Sequence, residues 1–334
     1  MDVSVVIPTY NRAGLLGRTI PALMAQRTEG YEYEVIFVSN GATDHTESVL
    51  REAAERHPGK LRYFVIAPTG GPSAPRNRGI REATGNVVII LDDDVLPDPE
   101  LVARHADFHR RHAEATAAAI GEVYVPPEML DDPMSLFHLF PYDEVRRLEK
   151  LCYLHFWTCN VSVKREFMLR GGMFNEKFLY YEDMLCGHRL ETNGMQLHFV
   201  PEARGQHLHQ LKPEGVPSKG LFTGLWLHRF LAEVPDPVAM MRFGVIAPEL
   251  PPAVRMRRRV SRAVFRMADN PLTAAALRLA GAGGKRRNRF SDIYYRMVFR
   301  RNLLAGFRQA EQEAKRKRAE AGTAGAEWVN RGES

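Results

Sequence analysis

From Val3 to Leu91 the chain sets short apolar runs and helical patterns in alternation, and nothing else in it constrains the fold as strongly. Val3–Ile7, Tyr33–Ser39, Leu61–Ile66 and Val87–Leu91 are nearly continuous apolar runs, as expected of strands buried on both faces. Between them, Leu15–Gln26, Thr46–Arg56 and Ser73–Ala83 have helical character. Strands of this kind joined by helices form parallel sheets covered on both sides, and such sheets bind ligands outside the carboxyl ends of their strands. Residues that carry chemistry are therefore expected directly after each strand.

Three polar segments begin there: Pro8-Thr9-Tyr10-Asn11, Ser39-Asn40-Gly41-Ala42-Thr43-Asp44 and Asp92-Asp93-Asp94. Carboxylates crowded at the end of a buried strand repel one another, and burial disfavours their charged forms unless a cation holds them. A hard divalent ion shared between one or two carboxylates and phosphate oxygens answers that need. The structural alternative is an acidic turn ahead of Leu96-Pro97-Asp98-Pro99. An ion at this place would bridge the diphosphate of a nucleotide donor and stabilise charge on a departing nucleoside diphosphate.

Four blocks in order carry a resemblance: Val5-Val6-Ile7-Pro8-Thr9-Tyr10-Asn11-Arg12, Asn40-Gly41-Ala42-Thr43-Asp44, Gly70-Gly71-Pro72-Ser73-Ala74-Pro75-Arg76-Asn77-Arg78-Gly79-Ile80, and Asp92-Asp93-Asp94. Together they resemble the inverting family 2 glycosyltransferases of GT-A fold over roughly residues 1–210. The resemblance implies an α/β fold with a Rossmann-like mixed sheet, mostly parallel and flanked by helices. It implies donor contacts from Pro8, Thr9, Tyr10, Asn40, Arg76, Asp92 and Asp93, and a divalent metal, Mg²⁺ or Mn²⁺, on Asp94. Phe156–Val163 resembles the family's acceptor-facing strand, which places Trp157 and Asn160 toward the acceptor. Glu182-Asp183 resembles the ED motif, with Asp183 as the base and Glu182 on the acceptor side. His207 and His209 resemble a late histidine that completes the metal site, with His207 preferred.

Two departures narrow the expectation. Ser39 stands where the family usually has an acid that reads the nucleobase, so uracil, thymine and guanine donors all stay open. Leu185 stands where another acid often follows the ED motif. For Trp157 a core position on the sheet competes with stacking on a sugar, and for Asp183 a simple helix N-terminal acid competes with a base.

Farther along, Glu100–His112 reads as a helix and Ile120–Val125 as a strand. Tyr153–Val163 reads as a strand leading into a helix at Lys164–Leu169, Glu182–Thr192 as a helix, and Gln196–Val200 as a last short strand. The expected division is a catalytic domain over residues 1–215, with a nucleotide-sugar half at 1–120 and an acceptor half at 121–215. A basic helical extension follows at 216–334, with a hinge at Gly281–Gly284.

The remaining composition excludes more than it assigns. No stretch has the roughly 18 apolar residues of a membrane-spanning helix. The N-terminus lacks the features of a signal peptide, so a cytosolic address is expected. Cys152, Cys159 and Cys186 have neither zinc nor redox spacing and are expected as reduced thiols. The arginines from Arg255 to Arg266 open a basic third that runs to Arg318. With no nucleic-acid motif beside them, an anionic membrane surface on the inner face of the cell membrane is the expected partner. Gly220–Leu231 and Phe290–Phe307, apolar and flanked by arginine, are the segments expected to meet that surface or to dock on the catalytic domain.

A nucleotidyltransferase would want a glycine-rich basic loop after the first strand, and a dinucleotide oxidoreductase would want GxGxxG there; Pro8-Thr9-Tyr10-Asn11-Arg12 is neither. The expected function is sugar transfer from a nucleoside-diphosphate-sugar to an acceptor hydroxyl in surface polysaccharide or glycolipid assembly. Decoration of a secondary metabolite, or a degenerate domain serving as a binding subunit, stands as the alternative.

Overall fold

Strands β1 (Val3–Thr9) and β2 (Tyr33–Ser39) are buried at every position, which is why neither alternates polar and apolar residues. In the computed structural model, which describes residues 1–28, 30–137, 140–208, 211–245 and 250–331, they lie parallel with Val3 opposite Tyr33. Strand β3 (Leu61–Val65) joins the far side of β2, and β4 (Val87–Leu91) joins β1, both in parallel. Helices α1 (Ala13–Met24), α2 (Thr46–Arg56) and α3 (Ser73–Glu82) connect them. Leu16, Ile20 and Leu23 of α1, Leu50 of α2 and Ile80 of α3 are buried in the core, each worth about 1.5–3 kcal/mol over an exposed position. This parallel half matches the expected elements to within a few residues at each end, because its strands and helices are each written in local periodicity.

The second half of the sheet is less regular. After β5 (Val95–Pro97) come α4 (Leu101–Arg111), β6 (Ala117–Tyr124), α5 (Tyr142–Val145), β7 (Asn160–Lys164), α6 (Arg165–Arg170), α7 (Glu182–Thr192) and β8 (Gln196–His207). The sheet runs β3-β2-β1-β4-β7-β6-β8-β5. Strand β7 is antiparallel to both β4 and β6, and β5 is antiparallel to β8, so the sheet is mixed. The expected strand over Tyr153–Val163 begins only at Asn160; Tyr153–His155 is a 3-10 turn.

The strand expected to stop at Val200 continues to His207 through a β-bulge, in which the register passes from Gly121 opposite Val200 to Glu122 opposite Arg204. A Cβ on Gly121 would lie 2.1 Å from the Ala203 carbonyl oxygen, so only glycine fits beside this bulge.

The chain divides into two compact units, residues 1–131 with 135–210, and residues 132–134 with 211–334. The second unit contains α8 (Val216–Glu233), α9 (Pro237–Arg242), α10 (Pro252–Ala268), α11 (Pro271–Leu277) and α12 (Arg289–Arg331). Within it the backbones of α8 and α12 nearly touch: a Cβ on Gly224 would meet the Leu303 oxygen at 2.0 Å, and one on Gly306 the Leu221 oxygen at 2.1 Å. The apolar segments 220–231 and 290–307 thus pack against each other within this unit. A turn at Gly281, with φ of 98°, lies in the expected hinge. No helix among the described residues is long and apolar enough to cross a membrane. Cys159 and Cys186 are buried free thiols and Cys152 is half-buried.

Candidate active site

Because β1 and β4 are parallel neighbours, the loops leaving their carboxyl ends come together. They border a cleft of about 540 Å³ lined by Pro8, Thr9, Tyr10, Arg12, Asn40, Arg76 and Asp92–Asp94, with Pro68, Gly70–Pro72 and Pro75 closing one wall. The volume suits a small-molecule or cofactor ligand. The Thr9 hydroxyl donates to Asp93 Oδ2 at 2.7 Å. The Arg12 guanidinium stands 3.3 Å from Asp93 Oδ1 and 3.8 Å from Asp94 Oδ2. Burial raises the Asp93 carboxyl to about 7, and the Asp94 charge adds to this against the opposing pull of Arg12 and Thr9. Crowded carboxylates thus demand positive charge here, as their sequence suggested, and Arg12 supplies part of it. Its role was missed, although its place at the end of the first-strand loop was a usable signal.

Asp94 meets the far edge of the sheet. Val95 pairs with His207, the Leu208 N–H donates to the Asp94 carbonyl at 2.8 Å, and His207 Nε2 lies 3.5 Å from Asp94 Oδ1. A carboxylate oxygen and an imidazole nitrogen converging in this way suit a divalent metal ion. Among the described residues no group of three or more His, Cys, Asp or Glu closes a metal cage. Asp94 and His207 would therefore hold an ion only together with oxygens brought by a ligand or water. His209 lies outside the described residues.

Arg76 ties the two walls together. From α3 its buried guanidinium donates to Asp92 Oδ1 at 2.9 Å and to Glu182 Oε1 at 2.6 Å, and these carboxylates keep it firmly charged despite its burial. The neighbouring Asn77 donates to the Phe174 carbonyl at 2.9 Å and to Glu176 at 2.8 Å, which holds the segment leading to α7. Tyr181, at φ of 62°, turns the chain into α7 in a left-handed conformation that non-glycine residues seldom adopt. That turn sets Asp183 at the helix start with a partly exposed edge, its Oδ1 accepting from the Met184 N–H at 2.7 Å. Surrounding protein, and after it the Glu182 charge, raise the Asp183 carboxyl to about 7.

Eight of the expected residues, Pro8, Thr9, Tyr10, Asn40, Arg76, Asp92, Asp93 and Asp94, line the one cleft. The three expected to face the acceptor do not. Asn160 is fully buried, its amide donating to the Ala203 carbonyl at 2.8 Å and its oxygen paired with His105 Nε2 at 2.9 Å. Trp157 is a core residue: its ring packs on Tyr142 and Phe140, and its Nε1 donates to the Leu154 carbonyl at 3.0 Å. Glu182 is buried against Arg76 and holds that side chain in place. Register explains Asn160, because antiparallel pairing of Leu91 with Asn160 sets its side chain against His105 of α4.

Ser39 is buried too and donates to Glu47 at 3.1 Å. Asn40 clamps the loop beyond β3, donating to the Gly71 carbonyl and accepting from the Thr69 N–H. Tyr10 remains half exposed at the cleft rim.

Residues 4–168 match the family model described as Glycosyl transferase family 2. A validoxylamine A glucosyltransferase from Streptomyces hygroscopicus subsp. jinggangensis is 31% identical over 231 residues, which cover 61% of this chain and 54% of that protein. The chain therefore spans about half the length of that relative. Among solved structures, a mannosyltransferase from Pyrobaculum calidifontis in complex with GDP-Man and Mn²⁺ superposes with a TM-score of 0.60 at 20% identity, covering 91% of this chain and 86% of that one. S. aureus TarS 1-349 in complex with UDP-GlcNAc gives 0.51 at 15% identity, covering 95% and 92%. At those identities the likeness speaks for the fold, which is of the GT-A type.

Proposed function

Glycosyl transferase family 2 is the family to which this chain belongs, and from that premise we propose that it moves a sugar from a nucleoside-diphosphate-sugar to an acceptor hydroxyl with inversion at the anomeric carbon. The reading rests on one arrangement: the Asp92–Asp94 end of the cleft is joined through Arg76 to Glu182, whose neighbour Asp183 carries a carboxyl that titrates near neutrality. A base with a pKa close to the working pH combines a large deprotonated fraction with useful basicity.

In this reading Asp183 takes the proton of the acceptor hydroxyl as that oxygen bonds to the anomeric carbon. The bond from that carbon to the diphosphate breaks on the opposite side, and its electron pair leaves with the nucleoside diphosphate. Tyr10 offers the exposed ring of the nucleoside pocket, while Thr9 and Arg12 hold Asp93 and Asp94 on the donor side. Asp94 and His207 are the residues that would hold Mg²⁺ or Mn²⁺, which supplies positive charge for the diphosphate when bound. Residues 1–120 form the donor half and the segment around Asp183 the acceptor half of residues 121–215, ahead of the basic extension at 216–334.

The base that is bound is not set by this fold, since the neighbours carry a guanine nucleotide in one case and a uracil nucleotide in another. Assembly of a surface polysaccharide or glycolipid is the first reading of the acceptor. The Streptomyces relative, named for one defined acceptor, favours a second, the glycosylation of a secondary metabolite.

A thermal-shift screen of UDP, GDP and dTDP with their sugars, run with and without Mn²⁺, tests the donor side. A ligand at 100 times its Kd stabilises the fold by about 2.7 kcal/mol. Asp94→Ala is expected to remove the metal-dependent part of the shift. Absence of any nucleotide response in the intact chain, with or without Mn²⁺, overturns the reading.

A further inference from the structure

Helix α10 presents an apolar stripe that stays exposed among the described residues. Met256, Val260, Val264 and Met267 recur at helical spacing along one face, and they are 59%, 55%, 60% and 79% exposed. No residue of α10 is buried. Its opposite side is committed to α12: Phe265 lies under the Arg300 guanidinium at 4.6 Å, and Asp269, just past the helix end, pairs with Arg301. The following segment adds exposed Leu272 and Leu279.

The charge around the stripe identifies what fits it. α10 holds six arginines and no Asp or Glu, and at about 100° per residue Arg257 and Arg259 fall on either side of the apolar line. Residues 211–334 carry 24 Lys and Arg against 11 Asp and Glu, whereas residues 1–210 carry 22 against 29, so the positive charge belongs to this unit. A second copy stacked stripe to stripe would set arginines against arginines with no acid on either helix to compensate. Nucleic acid would satisfy the arginines and leave the central stripe in water. An anionic bilayer satisfies both, because a helix lying in its plane buries an apolar face at the acyl boundary while flanking arginines reach the headgroups.

We propose that α10 is an interfacial helix that seats this chain on an anionic lipid bilayer, with Met256, Val260, Val264 and Met267 entering the boundary and Arg257 and Arg259 on the headgroups. The proposal stands on the second unit alone and is independent of the glycosyl-transfer reading.

Sedimentation of the full chain with phosphatidylcholine vesicles, with and without phosphatidylglycerol, tests it. Partitioning is expected to be at least about tenfold stronger with phosphatidylglycerol, given of order 1 kcal/mol per basic residue near such a surface. V260D/V264D and R257E/R259E are each expected to lose that binding while keeping the wild-type circular dichroism and melting temperature, since all four positions are exposed. Wild-type sedimentation of V260D/V264D overturns the proposal, as does equal binding to both vesicle types. It is also overturned by a wild-type dimer that V260D/V264D converts to monomer with no vesicle binding in either form, because the stripe is then a self-interface. Binding to a soluble RNA that R257E/R259E abolishes, without vesicle binding, overturns it in favour of nucleic acid.

Discussion

The side-chain amide of Asn160 donates to the carbonyl of Ala203 at 2.8 Å, and this bond pins the bulge from which β8 runs on to His207. The same side chain accepts from His105 Nε2 at 2.9 Å, so both its polar ends are spent on positioning. Asn160→Ala would leave the Ala203 carbonyl and His105 unsatisfied in the core, at about 1–3 kcal/mol for each buried group. A lowered melting temperature is expected, together with a weaker Mn²⁺-dependent nucleotide shift from the displaced His207. A normal metal response in the variant would confine Asn160 to stabilising the fold.

The pH dependence of transfer should report Asp183. A base whose carboxyl sits near pH 7 is deprotonated above that value, so kcat/KM is expected to be flat above about pH 7 and to fall tenfold per unit below it. Asp183→Asn is expected to abolish transfer while leaving the nucleotide-induced thermal shift intact. A variant that still transfers sugar with the wild-type profile would remove Asp183 from the role of base.

Arg76 is a cation shared by Asp92 and Glu182, at 2.9 and 2.6 Å. Removing one member of a buried ionic group leaves uncompensated charge, typically at about 3–5 kcal/mol. Arg76→Met is therefore expected to lower the denaturation midpoint strongly, and Arg76→Met/Glu182→Gln to recover part of the loss, because the second change removes the stranded carboxylate. Equal stability of the single and double variants would show that the pair is not coupled.

Acid stability should depend on the histidine pair under β7. His109 Nε2 and His105 Nδ1 both bond the Ser162 hydroxyl, at 2.9 and 2.8 Å. Burial holds His105 neutral down to about pH 4, and burial together with the neighbouring His105 holds His109 neutral down to about 3. In the unfolded chain these rings take protons near pH 6.5, so their contribution is fully present above that value and is lost as pH falls toward 4. Asp93 and Asp183, with raised carboxyls, act in the opposite sense over an overlapping range. The difference between wild type and His109→Gln isolates the imidazole: the gap in melting temperature is expected to narrow as pH is lowered from 7 to 4. A constant gap would show that His109 titrates alike in both states.

Local pattern carried the parallel half of the sheet and the position of the acidic run. An apolar strand, a helix and the polar loop between them are each written within a few residues, and Thr46–Arg56 and Val87–Leu91 have the bounds their periodicity predicts. Resemblance in four short blocks pointed to Asn40, Arg76 and Asp92–Asp94, which line one cleft. What the sequence could not decide was which partner each side chain meets. Pro201 ends the apolar run of β8, so its continuation to His207 and its pairing with β5 depend on a bulge held from another strand by Asn160.

Trp157 and Asn160 lie in a segment that resembles an acceptor-facing strand, yet ring packing on Phe140 and Tyr142 buries the first and strand register buries the second. In the second unit many apolar residues compete for burial, and the tertiary structure packs α8 on α12 while Met256, Val260, Val264 and Met267 of α10 are left exposed. The sequence by itself determined the elements and the charge at the end of β4, because both are local. Tertiary structure decided that Arg76 joins Asp92 to Glu182 and that Asp94 meets His207, because those distances depend on strand pairings and bulges formed between segments far apart in the chain.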